Sequence, residues 1–279
     1  MNITVAKHSG ACYGVNRALD LVHKAAKNGV GVHTMGPLIH NPVVVEELRK
    51  EGIIPATSLD EITDGILVIR THGVAPNVIK EAQSRGLETL DATCPHVTKA
   101  QNEAQNLAES GRFVVIVGEK GHPEVEALRA YAGENSIVVD SVNSLYGNLN
   151  FESVGVVVQT TQSEELFEEV VEYLKTKTQD IKISNTICFA TRQRQAAACE
   201  LSKKVEVMIV VGGKNSGNTR RLFEICSKEC SHAYLIERSD ELMAEWFEGI
   251  QEVGITAGAS TPSTHIEQVI SRIKTFVGE

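Results

Sequence analysis

Three of the six cysteines sit in contexts that read alike: ACYGVNRAL around Cys12, TCPHVTKAQ around Cys94 and ICFATRQRQ around Cys188, separated by 82 and 94 residues. Each follows a short β-type run and opens a helical pattern. Counting 28 residues on from each gives His40, His122 and Ser216. Two residues further stand Pro42, Glu124 and Asn218, so the loops IHNP, GHPE and NSGN take one equivalent place three times. A second strand-to-helix loop follows in each segment: THGV at His72, QTTQS at Thr160 and Thr161, and GASTP at Ser260. Its offset drifts, as insertions would cause. Repetition of this kind marks a structural unit used more than once.

Three thiolates converging on one point match three positions of an iron–sulfur cube whose fourth iron stays open. The softness of sulfur points to iron–sulfur or zinc rather than magnesium. A helix N-terminus lowers a thiol's pKa and favours the ligating thiolate, which gives a physical reason for cysteine there. One buried cysteine alone is more simply a core residue; recurrence at three matched positions reverses that preference. Cys199, Cys226 and Cys230 fall outside the repeat. Cys226 and Cys230, with His232 nearby, have tolerable zinc spacings but no matching second pair, and packing is the simpler reading.

The loops carry a second chemistry. His40, His72, His122, Ser216, Asn218 and Ser260 are compact hydrogen-bonding residues at strand-to-helix turns, where backbone N–H groups and the helix dipole favour a phosphate or diphosphate. GGKNSGNT has neither Walker nor dinucleotide spacing, so ATP and NAD are not indicated. Glu124 is the one carboxylate at these positions, and Thr160 and Thr161 are placed to relay a proton to it. The plain alternative for Glu124 is a helix-N-terminal acid after Pro123.

These residues need a scaffold that returns them to one place. The runs VGVHTM, ILVIRT, FVVIVG, VGVVVQ, VEVMIVV and VGITAG each lead through a loop into an amphipathic stretch, which reads as α/β throughout. The stretch from 163 to 177 has an N-cap Ser, early acids and late lysines, and predicts a helix. Three similar α/β domains follow: residues 13–94, 95–188, and 189–279 completed by the strand in 1–12. In such folds ligands collect beyond the carboxyl ends of the strands, so one central site with pseudo-threefold symmetry is expected. The loosest connection is expected around Asn143 to Ser153.

Composition narrows the classes. With 279 residues, 42% hydrophobic and 23% charged, the chain is neither a disulfide miniprotein nor disordered. Twenty-seven Lys+Arg against 36 Asp+Glu, net −9, with no long basic run, argue against nucleic acid as a partner. No leader-like N-terminus and no run of ~18 apolar residues is present, so a cytoplasmic protein with reduced thiols and no membrane partner is expected.

Taken together, GACYGVNRA, GPLIHNP, RTHGV, DATCPHV, GEKGHPEV, QTTQS, ICFATRQRQ, GGKNSGNTRRL and TAGAS resemble, in order and over nearly the whole chain, the 4-hydroxy-3-methylbut-2-enyl diphosphate reductases, the IspH/LytB family. The resemblance implies a trefoil of three α/β domains around a [4Fe–4S] cluster held by Cys12, Cys94 and Cys188, with one open iron. It implies a substrate diphosphate among His40, His72, His122, Ser216, Gly217, Asn218 and Ser260. Glu124, helped by Thr160, would supply the proton that lets the substrate hydroxyl leave as water. The implied reaction is the last step of the non-mevalonate isoprenoid pathway, a two-electron reductive dehydroxylation to isopentenyl and dimethylallyl diphosphate. Ferredoxin or flavodoxin is the implied donor. Many members read NSSN where this chain reads NSGN; Gly217 removes a hydroxyl and leaves a backbone N–H to face the anion. Two competing expectations are a phosphate-binding regulatory protein whose cysteines hold zinc or nothing, and a thiol-dependent hydrolase, for which no nucleophile-elbow motif is present.

Overall fold

The structure, a computed structural model, describes residues 1–27, 29–146, 152–276 and 278. Parallel strands and helices succeed one another along it. β1 (Asn2–Val5) and α1 (Tyr13–Ala26) lead into β2 (Val32–Met35), α2 (Pro42–Lys50), β3 (Ile53–Ala56), β4 (Ile66–Ile69), α3 (Pro76–Ser84) and β5 (Glu88–Asp91). Next come α4 (Pro95–Glu109), β6 (Phe113–Val117), α5 (Pro123–Ala132), β7 (Ser136–Val139), β8 (Ser153–Val158), α6 (Glu164–Lys175) and β9 (Asp180–Ser184). The chain closes with α7 (Phe189–Ser202), β10 (Val207–Val211), α8 (Gly217–Glu229), β11 (Ala233–Ile236), β12 (Glu252–Ala257) and α9 (Ser263–Phe276).

The described strands form three parallel four-stranded sheets, ordered β3-β2-β4-β5, β7-β6-β8-β9 and β11-β10-β12-β1. Each repeats one plan: the first strand of the segment pairs with both the second and the third, and the fourth joins the third. In the last sheet β1 fills the fourth place, pairing Asn2 to Val5 with Glu252 to Ile255. The three-unit α/β architecture expected from the cysteine contexts is thus the observed one.

Parallel sheets bury both faces, so their strands read as continuous apolar runs. In β6, Val114 and Ile116 pack with Ala100, Ala104 and Leu107 of α4, while Val115 and Val117 pack with Phe167, Val170 and Leu174 of α6. The strand period of two divides the run between two helical layers. β10 divides likewise: Ile209 and Val211 meet Val269 and Ile273 of α9, and Met208 and Val210 meet Leu222 and Cys226 of α8. Gly155 is required where α4 crosses β8, because a Cβ there would come within 2.8 Å of Leu107.

The helix expected over 163–177 spans Glu164–Lys175, with the Ser163 hydroxyl accepting from the Leu166 N–H at its start. Within the connection expected to be loose, residues 142–145 form a 3-10 turn, and 147–151 lie outside the described residues. Among the described residues no helix is long and apolar enough to cross a membrane. By the density of their internal packing, residues divide into two compact units: Met1–Asn16, Ile39–Lys50 and Phe189–Glu279 in one, Arg17–Leu38 and Glu51–Cys188 in the other.

Candidate functional site

Each repeat cysteine is held by the same backbone bond. The N–H of Cys12 donates to the Ala259 carbonyl at 3.1 Å, that of Cys94 to Thr71 at 3.0 Å, and that of Cys188 to Thr160 at 3.0 Å. Each acceptor is the second residue beyond a third strand: β12, β4 and β8. All three cysteines are partly exposed and stand one residue before a helix, α1, α4 and α7. Cys94 is the N-cap of α4, with Pro95 in its first turn. A thiol in such a place is reachable. Cys226 is the opposite case: fully buried, its thiol is pushed up to about 11 by burial, so it stays protonated. Cys230 is also buried, and the Cys199 thiol lies against Glu229. The donor set fit for a soft metal cluster is therefore the matched one.

In the unit of residues 17–38 and 51–188, Glu124 is 1% exposed at the start of α5. Its Oε1 accepts the Thr160 N–H at 2.6 Å and its Oε2 the Thr160 hydroxyl at 2.9 Å. Burial raises its pKa from the usual carboxylate range to about 7, against the two Thr160 bonds, which lower it. A carboxyl poised near neutrality can hold a proton and release it. The preceding loop residue, His122, caps α5: its Nδ1 accepts the Glu124 N–H at 3.1 Å. That acceptor role leaves the proton of the neutral ring on Nε2. The His72 ring meets the His122 ring edge-on, centroids 5.5 Å apart. Two imidazoles and one buried carboxyl thus gather at the strand ends of this unit.

In the unit of residues 1–16, 39–50 and 189–279, the corresponding loops also meet. The Ser260 hydroxyl donates to the His40 carbonyl at 3.1 Å, and Asn41 Nδ2 donates to the Ser260 carbonyl at 2.9 Å. Gly213 lies so close to the His40 carbonyl that a Cβ would approach it to 2.6 Å. Ser216 caps α8 by accepting from the Thr219 N–H. Asn218, 4% exposed, has neither its amide nitrogen nor its amide oxygen hydrogen-bonded. A buried amide left so costs free energy unless a ligand completes it. Gly217 opens α8, where its N–H is among those a helix leaves without a partner.

Several contributors escaped the sequence reading. Glycine recurs 24 residues after each cysteine, at Gly36, Gly118 and Gly212. Their N–H groups donate to Ala56, Val139 and Ile236, the last residues of β3, β7 and β11, at 2.7 to 2.9 Å. The signal was present as a third fixed offset. Asn41 caps α2 through Oδ1, and buried Arg194 donates to the Gly10 and Ala190 carbonyls, fixing the turn that leads to Cys12. The register also separates the two threonines. Thr160 stands level with Thr71 and Ala259, whereas Thr161, whose hydroxyl accepts from Gln159 Nε2, stands level with His72 and Ser260.

Residues 3–274 match the family model described as LytB protein. The chain is 45% identical, over 98% of its length and 96% of the relative's, to the 4-hydroxy-3-methylbut-2-enyl diphosphate reductase of Aquifex aeolicus. It is 44% identical to the enzyme of the same name from Geobacter sulfurreducens, over 99% of this chain and 98% of that one. Among solved structures, an E-1-hydroxy-2-methyl-but-2-enyl-4-diphosphate reductase from Plasmodium falciparum superposes with a TM-score of 0.92 at 29% identity, covering 98% of this chain and 87% of that one. A solved (E)-4-hydroxy-3-methyl-but-2-enyl diphosphate reductase, the terminal enzyme of the non-mevalonate pathway, matches at 43% identity and a TM-score of 0.73, covering 99% and 100% of the two chains.

Proposed function

The chain belongs to the LytB protein family, and from that premise we propose that its strand-end loops bind and reduce 4-hydroxy-3-methylbut-2-enyl diphosphate. The family is one of iron–sulfur oxidoreductases of isoprenoid synthesis. The reaction breaks a C–O bond, forms a C–H bond and releases water, consuming two electrons and two protons. The products are isopentenyl and dimethylallyl diphosphate. One observation carries the reading at the level of residues: a buried carboxyl raised to about 7 and held by Thr160, in a chain with three matched, reachable thiols.

In this reading Cys12, Cys94 and Cys188 hold a [4Fe–4S] cluster, which supplies an open Lewis-acidic iron and a path for electrons. Glu124 keeps a proton at Oε1 or Oε2 near neutral pH and hands it to the departing hydroxyl, while Thr160 fixes the carboxyl's orientation. The diphosphate is held by His40, His72, His122, Ser216, Asn218 and Ser260 with the N–H of Gly217. The amide of Asn218 gains the partner it lacks, and the His122 Nε2–H is a donor suited to an anion. The assignment extends to three domains, 13–94, 95–188 and 189–279 with 1–12. Ferredoxin or flavodoxin supplies the electrons, and the protein works in the cytoplasm.

The test is anaerobic purification with visible absorption and iron and sulfide counts, followed by turnover of the diphosphate under reducing conditions. A brown four-iron protein that consumes the substrate is expected, and Cys12→Ser, Cys94→Ser or Cys188→Ser should each lose iron and activity. A colourless protein that resists reconstitution would overturn the ligand assignment and leave an anion-binding α/β protein.

A further inference from the structure

We propose that Arg70 supplies the positive charge against which the turn carrying His72 receives the substrate's diphosphate, a role that rests on the reductase reading for its ligand. The groups assigned to that anion, His40, His72, His122, Ser216, Asn218 and Ser260 with the N–H of Gly217, include no lysine or arginine. A multiply charged anion on a protein of net charge −9 needs a compensating cation nearby. Cations in the equivalent loops already have carboxylates. Lys120, after β6, pairs with Asp140 at 3.5 Å, and Lys214, after β10, pairs with Glu241 at 2.6 Å.

Arg70 directly follows β4, in the place that Gln159 takes after β8. Gln159 uses its amide within the protein: Oε1 accepts the Glu119 N–H at 3.0 Å and Nε2 donates to the Thr161 hydroxyl at 3.1 Å. The Arg70 Nε donates to the Gly73 carbonyl at 3.5 Å, and its two terminal nitrogens have no hydrogen-bond or ion-pair partner among the described residues. Burial holds its pKa below the ordinary arginine value, and no carboxylate offsets that. The guanidinium nonetheless stays charged, and a half-buried charge is costly until an anion completes it. The turn does not need this side chain to close. The Gly73 N–H donates to the Arg70 carbonyl at 2.9 Å around His72, and the Thr71 N–H and hydroxyl both donate to the Leu38 carbonyl. The guanidinium also lies over Gly36, where a Cβ would approach Nη1 to 2.5 Å. Gly36 and Arg70 follow β2 and β4, neighbouring strands that lead to opposite edges of their sheet, and such a crevice is where α/β folds take ligands.

The test measures binding of inorganic diphosphate to the iron-loaded enzyme by calorimetry, at low and at high ionic strength. Arg70→Gln should raise Kd about tenfold or more at low salt, with a smaller gap at high salt, while Arg70→Lys, which keeps the charge and loses the bond to Gly73, should stay within about threefold. In turnover of the substrate, KM should rise with Kd in Arg70→Gln while kcat stays within about threefold. Iron content and circular dichroism report whether the fold is kept, and Arg70→Met, which retains the apolar stem, replaces Arg70→Gln if that variant misfolds. An unchanged Kd in the neutral variant, an equal loss in Arg70→Lys, or a loss confined to kcat would overturn the proposal. A wild-type protein that binds diphosphate with this charge dependence and yet fails to reduce the substrate would instead remove the reductase reading.

Discussion

Glu124 and Asn218 occupy the same place in two copies of one scaffold, 30 residues after a repeat cysteine and in the first turn of a helix. Among the differences in their surroundings is the second residue beyond the third strand. In the sheet of β6 to β9 that residue is Thr160, whose N–H and hydroxyl both bond the carboxylate. In the sheet of β10 to β12 and β1 it is Ala259, which has no hydroxyl, and the Asn218 amide stays unpaired at both ends. The carboxyl is held in one orientation by bonds to both oxygens, and the amide has none to fix it. Two differences between the repeats, Glu124 against Asn218 and Thr160 against Ala259, thus accompany a bonded side chain in one copy and an unbonded one in the other.

The largest effect is expected where the captured group itself is changed. Glu124→Gln keeps the size and loses the proton, so turnover should drop by about 100-fold or more while substrate affinity stays, as read by rapid-quench and equilibrium binding. Asn218→Ala should do the reverse, weakening diphosphate binding by roughly 10-fold with turnover at saturation largely kept. A loss of turnover without a loss of affinity in Asn218→Ala would erase the distinction between the two loops.

Thr160→Val sharpens the comparison. It removes the hydroxyl that lowers the Glu124 pKa and keeps the backbone donor. The basic limb of the pH–rate profile should therefore move to higher pH, with activity down by about tenfold from lost orientation. A basic limb in the same place would detach the limb from Glu124.

The smallest effect concerns stability. Glu124 has a folded pKa of about 7 against an ordinary value of 4.5. Between those pH values the folded state keeps a proton that the unfolded chain releases, so stability should fall as pH rises through that window. The loss approaches ~3 kcal/mol for the group taken alone. Glu124→Gln should be flatter over the same range in chemical denaturation, and an equal slope in both proteins would place the dependence elsewhere.

Much of this was legible along the chain because strand-to-helix punctuation and side-chain type are local properties. The cysteine contexts, the 28-residue offset and the apolar runs sufficed for three α/β repeats and for the candidate residues, including Glu124 as the one acid. The recurrence of glycine at the 24-residue offset was equally local and was overlooked. What sequence spacing could not supply was which loop faces which. The second loops drift in position, so Thr160 and Thr161 were indistinguishable until the Cys188 N–H bond to Thr160 set the register. The capture of Glu124 by a residue 36 positions away, the open amide of Asn218 and the clamp of Arg194 on Gly10, 184 positions away, exist only once the strands are paired. Residue identity along the chain determined which chemistries were available. The folded packing decided, through burial and hydrogen bonding, which carboxyl has its pKa raised and which buried amide is left without a hydrogen bond.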